Sequence, residues 1–175
     1  AGSATRLLAL LKIESEITEL ETPNSIQEQK TAIIQFKDVN FSYPSRPDSA
    51  ALKNINLNIP TGKVIALVGP SGAGKTTLFE LLQRFYDPQQ GQVKLSGNNI
   101  KTLPPKQLRQ SMAIVAQQPS LFSNDIMYNI RYGNPNATDQ EVMAAAKAAY
   151  ADEFIDQLPD GYASYLGEQG VRLSG

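Results

Sequence analysis

Val64-Ile65-Ala66-Leu67-Val68-Gly69-Pro70-Ser71-Gly72-Ala73-Gly74-Lys75-Thr76 is the stretch from which the rest of the chain can be read. Val64 to Val68 is an unbroken apolar run, the pattern of a strand buried on both faces in a parallel sheet. Gly69 to Thr76 then fits G-x-x-x-x-G-K-[ST] at every position. Small residues let such a loop curl until successive backbone N–H groups point at phosphate oxygens. A helix opening at Lys75 offers its positive N-terminal end to the same anion. The lysine reaches the outer phosphates as a point charge, and the Thr76 hydroxyl ligates Mg²⁺. A strand, a glycine-rich loop and a helix in this order predict phosphate-loop nucleotide binding, and on their own nothing narrower.

Composition removes several other chemistries. The chain has 175 residues, 41% of them hydrophobic and 19% charged, which fits one soluble globular domain with a lobe attached. Its net charge of −1 offers no basic field for a nucleic-acid backbone, so nucleic acid is not an expected partner. Cysteine and histidine are both absent. Disulfides and thiolate metal sites are therefore excluded, and so is the commonest general base. Leu7 to Leu11 is the most apolar early stretch and is too short to cross a membrane.

Outward from the loop, toward the N-terminus, residues 4–21 carry Leu7, Leu10, Leu11, Ile13, Ile17 and Leu20 at helical spacing. A polar linker follows to about residue 30. Ile34, Phe36, Val39 and Phe41 read as a strand with a slip near Asp38, Phe36 and Phe41 facing the core. Leu52, Ile55, Leu57 and Ile59, set among Asn54, Asn56 and Asn58, read as a second, half-buried strand. Pro44 to Asp48 and Pro60 to Gly62 are the turns between elements. Beyond the loop the pattern predicts a helix from Lys75 to Tyr86 broken by Asp87-Pro88, a strand over Gln92–Leu95, a turn at Ser96–Asn99, a helix over Pro104–Gln110 and a buried strand over Met112–Ala116. After Gln117 the character becomes helical: Asp125–Arg131 capped by Asn124, Asp139–Ala149 capped by Thr138, and Asp152–Gln157. The expected fold is α/β, a P-loop core with an N-terminal antiparallel β region and a helical subdomain. The expected boundaries are 1–30 for a linker helix and linker, 31–117 for the core, and 118–175 for the helical subdomain.

Five further segments, in order, resemble the nucleotide-binding domains of ABC transporters. Phe41-Ser42-Tyr43-Pro44 resembles the segment whose aromatic residue, here Tyr43, stacks on adenine; the alternative is an ordinary strand tyrosine on the core. Ala116-Gln117-Gln118-Pro119-Ser120-Leu121-Phe122 resembles the Q-loop, with Gln117 rather than Gln118 aligned to the glutamine that ligates Mg²⁺ or holds the attacking water. Asp125 to Gly133 is similar to the exporter form of the helical lobe, whose surface receives the membrane domain; Ile126 and Ile130 read better as helix core. Leu166 to Gly170 resembles a loop that contacts the membrane domain in exporters, through Glu168, though a solvated turn acid reads equally simply. Leu173-Ser174-Gly175 resembles the start of the signature motif, where Ser174 and Gly175 would face ATP held by a partner domain. The helix over residues 4–21 and the Pro44–Asp48 loop also have the exporter style.

The resemblance implies ATP and Mg²⁺ as ligands. It assigns ATP binding to Tyr43, Gly69, Pro70, Ser71, Gly72, Ala73, Gly74, Lys75, Thr76 and Thr77, catalytic roles to Lys75 and Gln117, and Mg²⁺ ligation to Thr76 and Gln117. It implies a second nucleotide-binding domain packed head to tail, a transmembrane domain as partner, and a cytoplasmic domain of an integral membrane protein, with the bacterial inner membrane the expected site. The residues that would follow the signature, an aspartate-bearing strand, a catalytic glutamate and a switch histidine, have no counterpart before Gly175. The expectation is thus an ATPase parent and a chain that binds nucleotide without hydrolysing it, with Val64–Val68 and Met112–Ala116 left with unpaired edges or uncovered faces. An importer ATPase subunit and a purely nucleotide-binding module are the alternatives.

Overall fold

The structure, a computed structural model, describes Ile17, residues 34–117 and residues 120–166. The expected N-terminal helix, Gln118, Pro119, Glu168, Ser174 and Gly175 lie outside the described residues. The chain forms two compact units that divide between Ala113 and Ile114.

The first unit is built on a four-stranded antiparallel sheet of β1 (Ile34–Ser42), β2 (Ala50–Ile59), β3 (Gln90–Leu95) and β4 (Asn98–Asn99), in the order β2-β1-β3-β4. Two opposed bulges organise β1 and β2. Phe36 pairs with Leu57 and Val39 with Ile55, so β1 spends one extra residue; Phe41 then pairs with Leu52, so β2 spends one back. The extra residues are Asp38 (φ 51°) and Asn54 (φ 46°), the side-chain types that tolerate left-handed backbone best after glycine. Their freed N–H groups are satisfied locally, Asp38 N by Asn56 Oδ1 at 3.0 Å and Asn54 N by Asn40 Oδ1 at 2.9 Å. The slip expected near Asp38 is therefore a bulge. The compensating bulge at Asn54 is why Leu52 and Ile55, three apart, share the buried face.

Phe36, Val39 and Phe41 of β1, Leu52 of β2 and Val93 and Leu95 of β3 make the sheet side of the core. Leu81 closes it from helix α1 (Lys75–Leu82), and Ile100, Leu103 and Leu108 from the segment ending in helix α2 (Pro105–Gln110). Helix α1 is shorter than expected. It stops at Leu82, ahead of Asp87-Pro88, because Arg84 adopts left-handed backbone (φ 54°). The N–H of Arg84 bonds Leu81 O at 3.0 Å and that of Phe85 bonds Glu80 O at 2.9 Å, the paired closure that glycine usually makes after a helix. Arg84 is 1% exposed. Its guanidinium donates to Asp87 Oδ1 at 3.2 Å and Leu103 O at 2.9 Å. Asp87 is thus the partner of a buried cation, not the helix breaker.

Val64–Val68 and Met112–Ala116 correct a second expectation: neither is a strand. Val64 is 102% exposed, Val68 89% and Val115 98%. A strand of the buried parallel kind needs ladder partners on its edges and cover on its faces, and no described strand pairs with either segment.

The second unit pairs β5 (Asn124–Asp125) with β6 (Tyr165–Leu166) and carries helices α3 (Ile126–Arg131), α4 (Asp139–Ala148) and α5 (Asp152–Asp156). Asp125, one residue later than expected, caps α3 by accepting from Tyr128 N at 2.6 Å. Thr138 caps α4 in a reciprocal box with Glu141. Both Glu141 bonds to Thr138, first the backbone N–H and then the hydroxyl, hold this carboxyl below its ordinary 4.5. Ile126, Ala146, Ile155 and Leu166 form the core, with Ile130 packed at its edge; of these, Ile126 and Ile130 were the residues expected there. Asn129 does what the sequence did not announce. Its carboxamide accepts from Phe122 N at 2.8 Å and donates to Phe122 O at 3.0 Å and Asp125 O at 2.9 Å, fastening the segment before α3 to the helix itself.

Candidate nucleotide-binding site

The glycine-rich loop leads into α1 at Gly74, whose backbone is left-handed (φ 83°). A Cβ there would stand 2.6 Å from Leu52 Cδ2 and 2.8 Å from Ala51 O. The loop therefore rests directly on β2, and only glycine permits that approach. Lys75 turns back across the loop: its Nζ donates to Gly69 O at 2.8 Å and Pro70 O at 2.7 Å. These charge-assisted bonds staple the loop's first two residues to its last turn. A further bond from Ala73 N to Pro70 O at 3.3 Å tightens the curl.

Beside the loop is a cleft of ≈ 490 Å³. Ser71, Gly72, Gly74, Lys75, Thr76 and Thr77 line one side, and Tyr43, Arg46, Ser49, Ala50 and Ala51 the other. The lining holds two cations and no acid. That balance suits a polyanion. Thr76 is exposed and lines the cleft. Ser49, Ala50, Ala51 and Arg46 are cleft residues that sequence reasoning missed, and among them the charged one is Arg46. It lies in the Pro44–Asp48 loop, where its N–H bonds Tyr43 O at 2.8 Å; the available signal was its place three residues after the candidate aromatic.

Tyr43 follows β1 and is placed by two devices. Gln89 supplies an additional rung beyond β3, accepting from Ser42 N at 2.9 Å and donating to Ser42 O at 2.8 Å. Beyond that rung, the Tyr43 ring meets Phe41 edge-on at 5.0 Å and Tyr86 at 5.4 Å, geometries that favour aromatic pairs. Its hydroxyl bonds Thr77 Oγ1 at 2.8 Å and donates to Glu80 Oε2 at 2.6 Å. Burial, then the bond to the Glu80 carboxylate, raises the phenol above its ordinary 10.0. Tyr43 accordingly belongs to the rim of the core and to the cleft together.

Seven of the expected ATP-binding residues, Tyr43, Ser71, Gly72, Gly74, Lys75, Thr76 and Thr77, share this cleft. Gly69 and Pro70 contribute the carbonyls that hold Lys75. Thr77 is buried, so its side chain serves Tyr43. Gln117 is exposed and belongs to the second unit. In that unit Phe122, Tyr128 and Tyr132 form an exposed aromatic group, Phe122 lying 4.4 Å from Tyr132 and 6.3 Å from Tyr128. Among the described residues no helix is long and apolar enough to cross a membrane, and no cluster of acidic side chains could hold a metal ion unaided.

Known proteins resemble this chain closely. A family model described as "ABC transporter" matches residues 52–175. ABC transporter B family member 2 of Dictyostelium discoideum is 45% identical over 175 residues, 99% of this chain and 12% of that protein. ABC transporter B family member 19 of Arabidopsis thaliana is 54% identical over 142 residues, 81% of this chain and 11% of that protein. The mitochondrial potassium channel ATP-binding subunit of Rattus norvegicus is 52% identical over 143 residues, 81% of this chain and 20% of that protein. The chain thus spans a fifth or less of the length of these relatives. Among solved structures, a bacterial Atm1-family ABC exporter with ATP bound superposes with a TM-score of 0.88 at 36% identity, over 97% of this chain and 30% of that one.

Proposed function

The chain belongs to the ABC transporter family, and from that membership we propose that it is the ATP-binding part of an exporter whose parent couples ATP binding and hydrolysis to transport across a membrane. The observation that carries the reading is the cleft, in which a phosphate loop stapled by Lys75 faces Tyr43 across a lining with two cations and no acid. Loop N–H groups and Lys75 bind the phosphates. The Tyr43 ring packs on the base. Arg46 adds charge where the triphosphate enters.

Mg²⁺ fits the residues present. It prefers oxygen donors and keeps several water and phosphate ligands, so the hydroxyl of the exposed Thr76 is the contribution this cleft needs to make; Gln117 is the further ligand that the family resemblance assigns. The ion, when bound, neutralises charge on the outer phosphates. Phosphoryl transfer to water depends on positioning an attacking water and on electrostatic stabilisation. This chain contributes Lys75, Thr76 and Gln117 to that task and holds no histidine. We therefore assign nucleotide binding to the chain itself and ATPase activity to the parent. Two such domains would pack head to tail, with Ser174 and Gly175 on the partner's nucleotide. The aromatic surface of the second unit and Glu168 would meet the transmembrane domain on the cytoplasmic side. The bacterial Atm1-family neighbour is an ABC exporter, which with the B-family relatives supports an exporter over an importer subunit.

The test is a thermal melt of the chain with and without Mg-ATP, beside Lys75→Ala. A ligand confined to the folded state raises the midpoint by mass action, about 2.7 kcal/mol at a hundredfold excess over Kd. A rise in the wild type that disappears in Lys75→Ala is the expected result. A cooperative melt that ATP does not move would refute binding by this chain. Steady phosphate release from the pure chain, lost in Lys75→Ala, would refute the claim that it does not hydrolyse.

A further inference from the structure

Thr77 and Glu80 sit three apart on α1 and so face the same side of the helix. Both reach the Tyr43 hydroxyl, at 2.8 Å and 2.6 Å. The phenol has one proton and gives it to Glu80, so the Thr77 hydroxyl donates to the phenol oxygen. Neither of the other two rings near Tyr43 can restrain it this way: edge-on contacts with Phe41 and Tyr86 allow the ring to slide, while two convergent hydrogen bonds fix its far end. Thr77 follows Lys75 by two residues on the same helix. One short helix therefore holds both the phosphate-loop lysine and the tip of the aromatic ring.

We infer that Glu80, with Thr77, is the positioning residue of Tyr43, fixing the ring relative to the helix that follows the phosphate loop so that the base of a nucleotide held there packs on it. This deepens the proposed function and rests on its reading of Tyr43 as the base contact. Glu80 touches neither phosphate nor base; it acts through the tyrosine. A hydrogen bond to a carboxylate is stronger than one between neutral groups, so Glu80 is the larger of the two restraints.

The experiment compares binding of Mg-ATP and of Mg-tripolyphosphate, which has the phosphates and no base, by titration calorimetry on the full chain. Tyr43→Phe and Glu80→Ala each remove the phenol–carboxylate bond and leave a ring at position 43. Each is expected to weaken ATP about tenfold or more, the worth of a hydrogen bond to a charged group, and to leave tripolyphosphate within about twofold. Glu80→Gln, whose amide oxygen still accepts, is expected to restore ATP binding to within about twofold. Equal weakening of both ligands by Glu80→Ala would make Glu80 a general support of α1 and overturn the inference. Wild-type ATP binding in Tyr43→Phe and Glu80→Ala would overturn it too. Tyr43→Ala separates the two levels: if it weakens ATP alone while those variants do not, only the positioning role fails; if it spares ATP, the base contact itself is wrong. Should Glu80→Ala fold poorly, Tyr43→Phe makes the same test from the other partner.

Discussion

Replacing Gly74 with alanine tests the seating of the phosphate loop on β2, and Gly72 supplies the control. Both glycines have left-handed backbone, φ 83° and 79°. Alanine at either pays the left-handed penalty, about 1–2 kcal/mol, partly offset by a stiffer unfolded chain, about 0.4–1 kcal/mol. They differ in surroundings. A Cβ at Gly72 meets nothing within 4 Å, whereas at Gly74 it falls 2.6 Å from Leu52 Cδ2 and 2.8 Å from Ala51 O. Leu52 is 2% exposed and part of the core, and Ala51 O is backbone of β2, so neither can swing aside. Forcing a methyl group into such a site costs about 1–3 kcal/mol. Gly72→Ala should therefore cost about 1 kcal/mol and Gly74→Ala about 2–4. Urea denaturation followed by tyrosine fluorescence measures both; the chain has no tryptophan and seven tyrosines. Gly74→Ala should also lose the Mg-ATP shift in melting, because relief of the clash moves the loop. Equal midpoints for the two variants, within about 0.5 kcal/mol at equal slopes, would refute the claim that the loop rests on β2.

Asp87→Ala should destabilise by about 2–3 kcal/mol in the same assay, below the ~3–5 kcal/mol for orphaning a buried charge because Arg84 keeps its bond to Leu103 O; a loss under 0.5 kcal/mol would mean the pair is idle. Thr138→Ala should cost about 1 kcal/mol through the lost cap of α4, read as an earlier melt by circular dichroism. Glu141 is held below 4.5 by Thr138, so its contribution is present above that value and fades as pH falls through its lowered folded-state value; the acid sensitivity of α4 should shrink in Thr138→Ala, and unchanged sensitivity would contradict the box. The bare valines at 64, 68 and 115 should bind an apolar fluorescent dye at neutral pH, with less signal in Val64→Lys/Val68→Lys; no dye binding by the wild type would mean these segments are covered.

What could be read from the sequence was local. The loop motif, the slip at Asp38, the Thr138 cap and the turn expected over Ser96–Asn99, whose last two residues form β4, each depend on a few adjacent residues, and each has its counterpart in the structure. What could not be read depends on distant partners. Val64–Val68 has the composition of a buried strand, but a strand is made by its neighbours, and composition does not say whether they are there. The end of α1 was misplaced because Asp87-Pro88 is a strong breaker by type, while the actual stop is an arginine in a conformation usually left to glycine, kept there by Asp87 and Leu103. At the site, Lys75 and Thr76 were evident from the motif. The bond network of Tyr43 was not, because Thr77 and Glu80 join it across 34 and 37 residues. Arg46 was passed over although its signal was local, three residues after Tyr43.

The two carboxamides of Gln89 and Asn129 each engage both the N–H and the C=O of one backbone residue, Ser42 and Phe122. Only a planar group with a donor and an acceptor side by side can do this. A carboxylate could take the N–H but would turn a lone pair toward the carbonyl, and an alkyl chain would satisfy neither. Gln89 is exposed and Asn129 only half-buried, so a tolerance map drawn from burial would mark both as free to vary. Saturation mutagenesis should instead find them as particular as core positions, accepting one carboxamide for another and little else. Even a single spontaneous deamidation at Gln89, invisible to a mass scan at low resolution, would then loosen the backbone that leads into Tyr43.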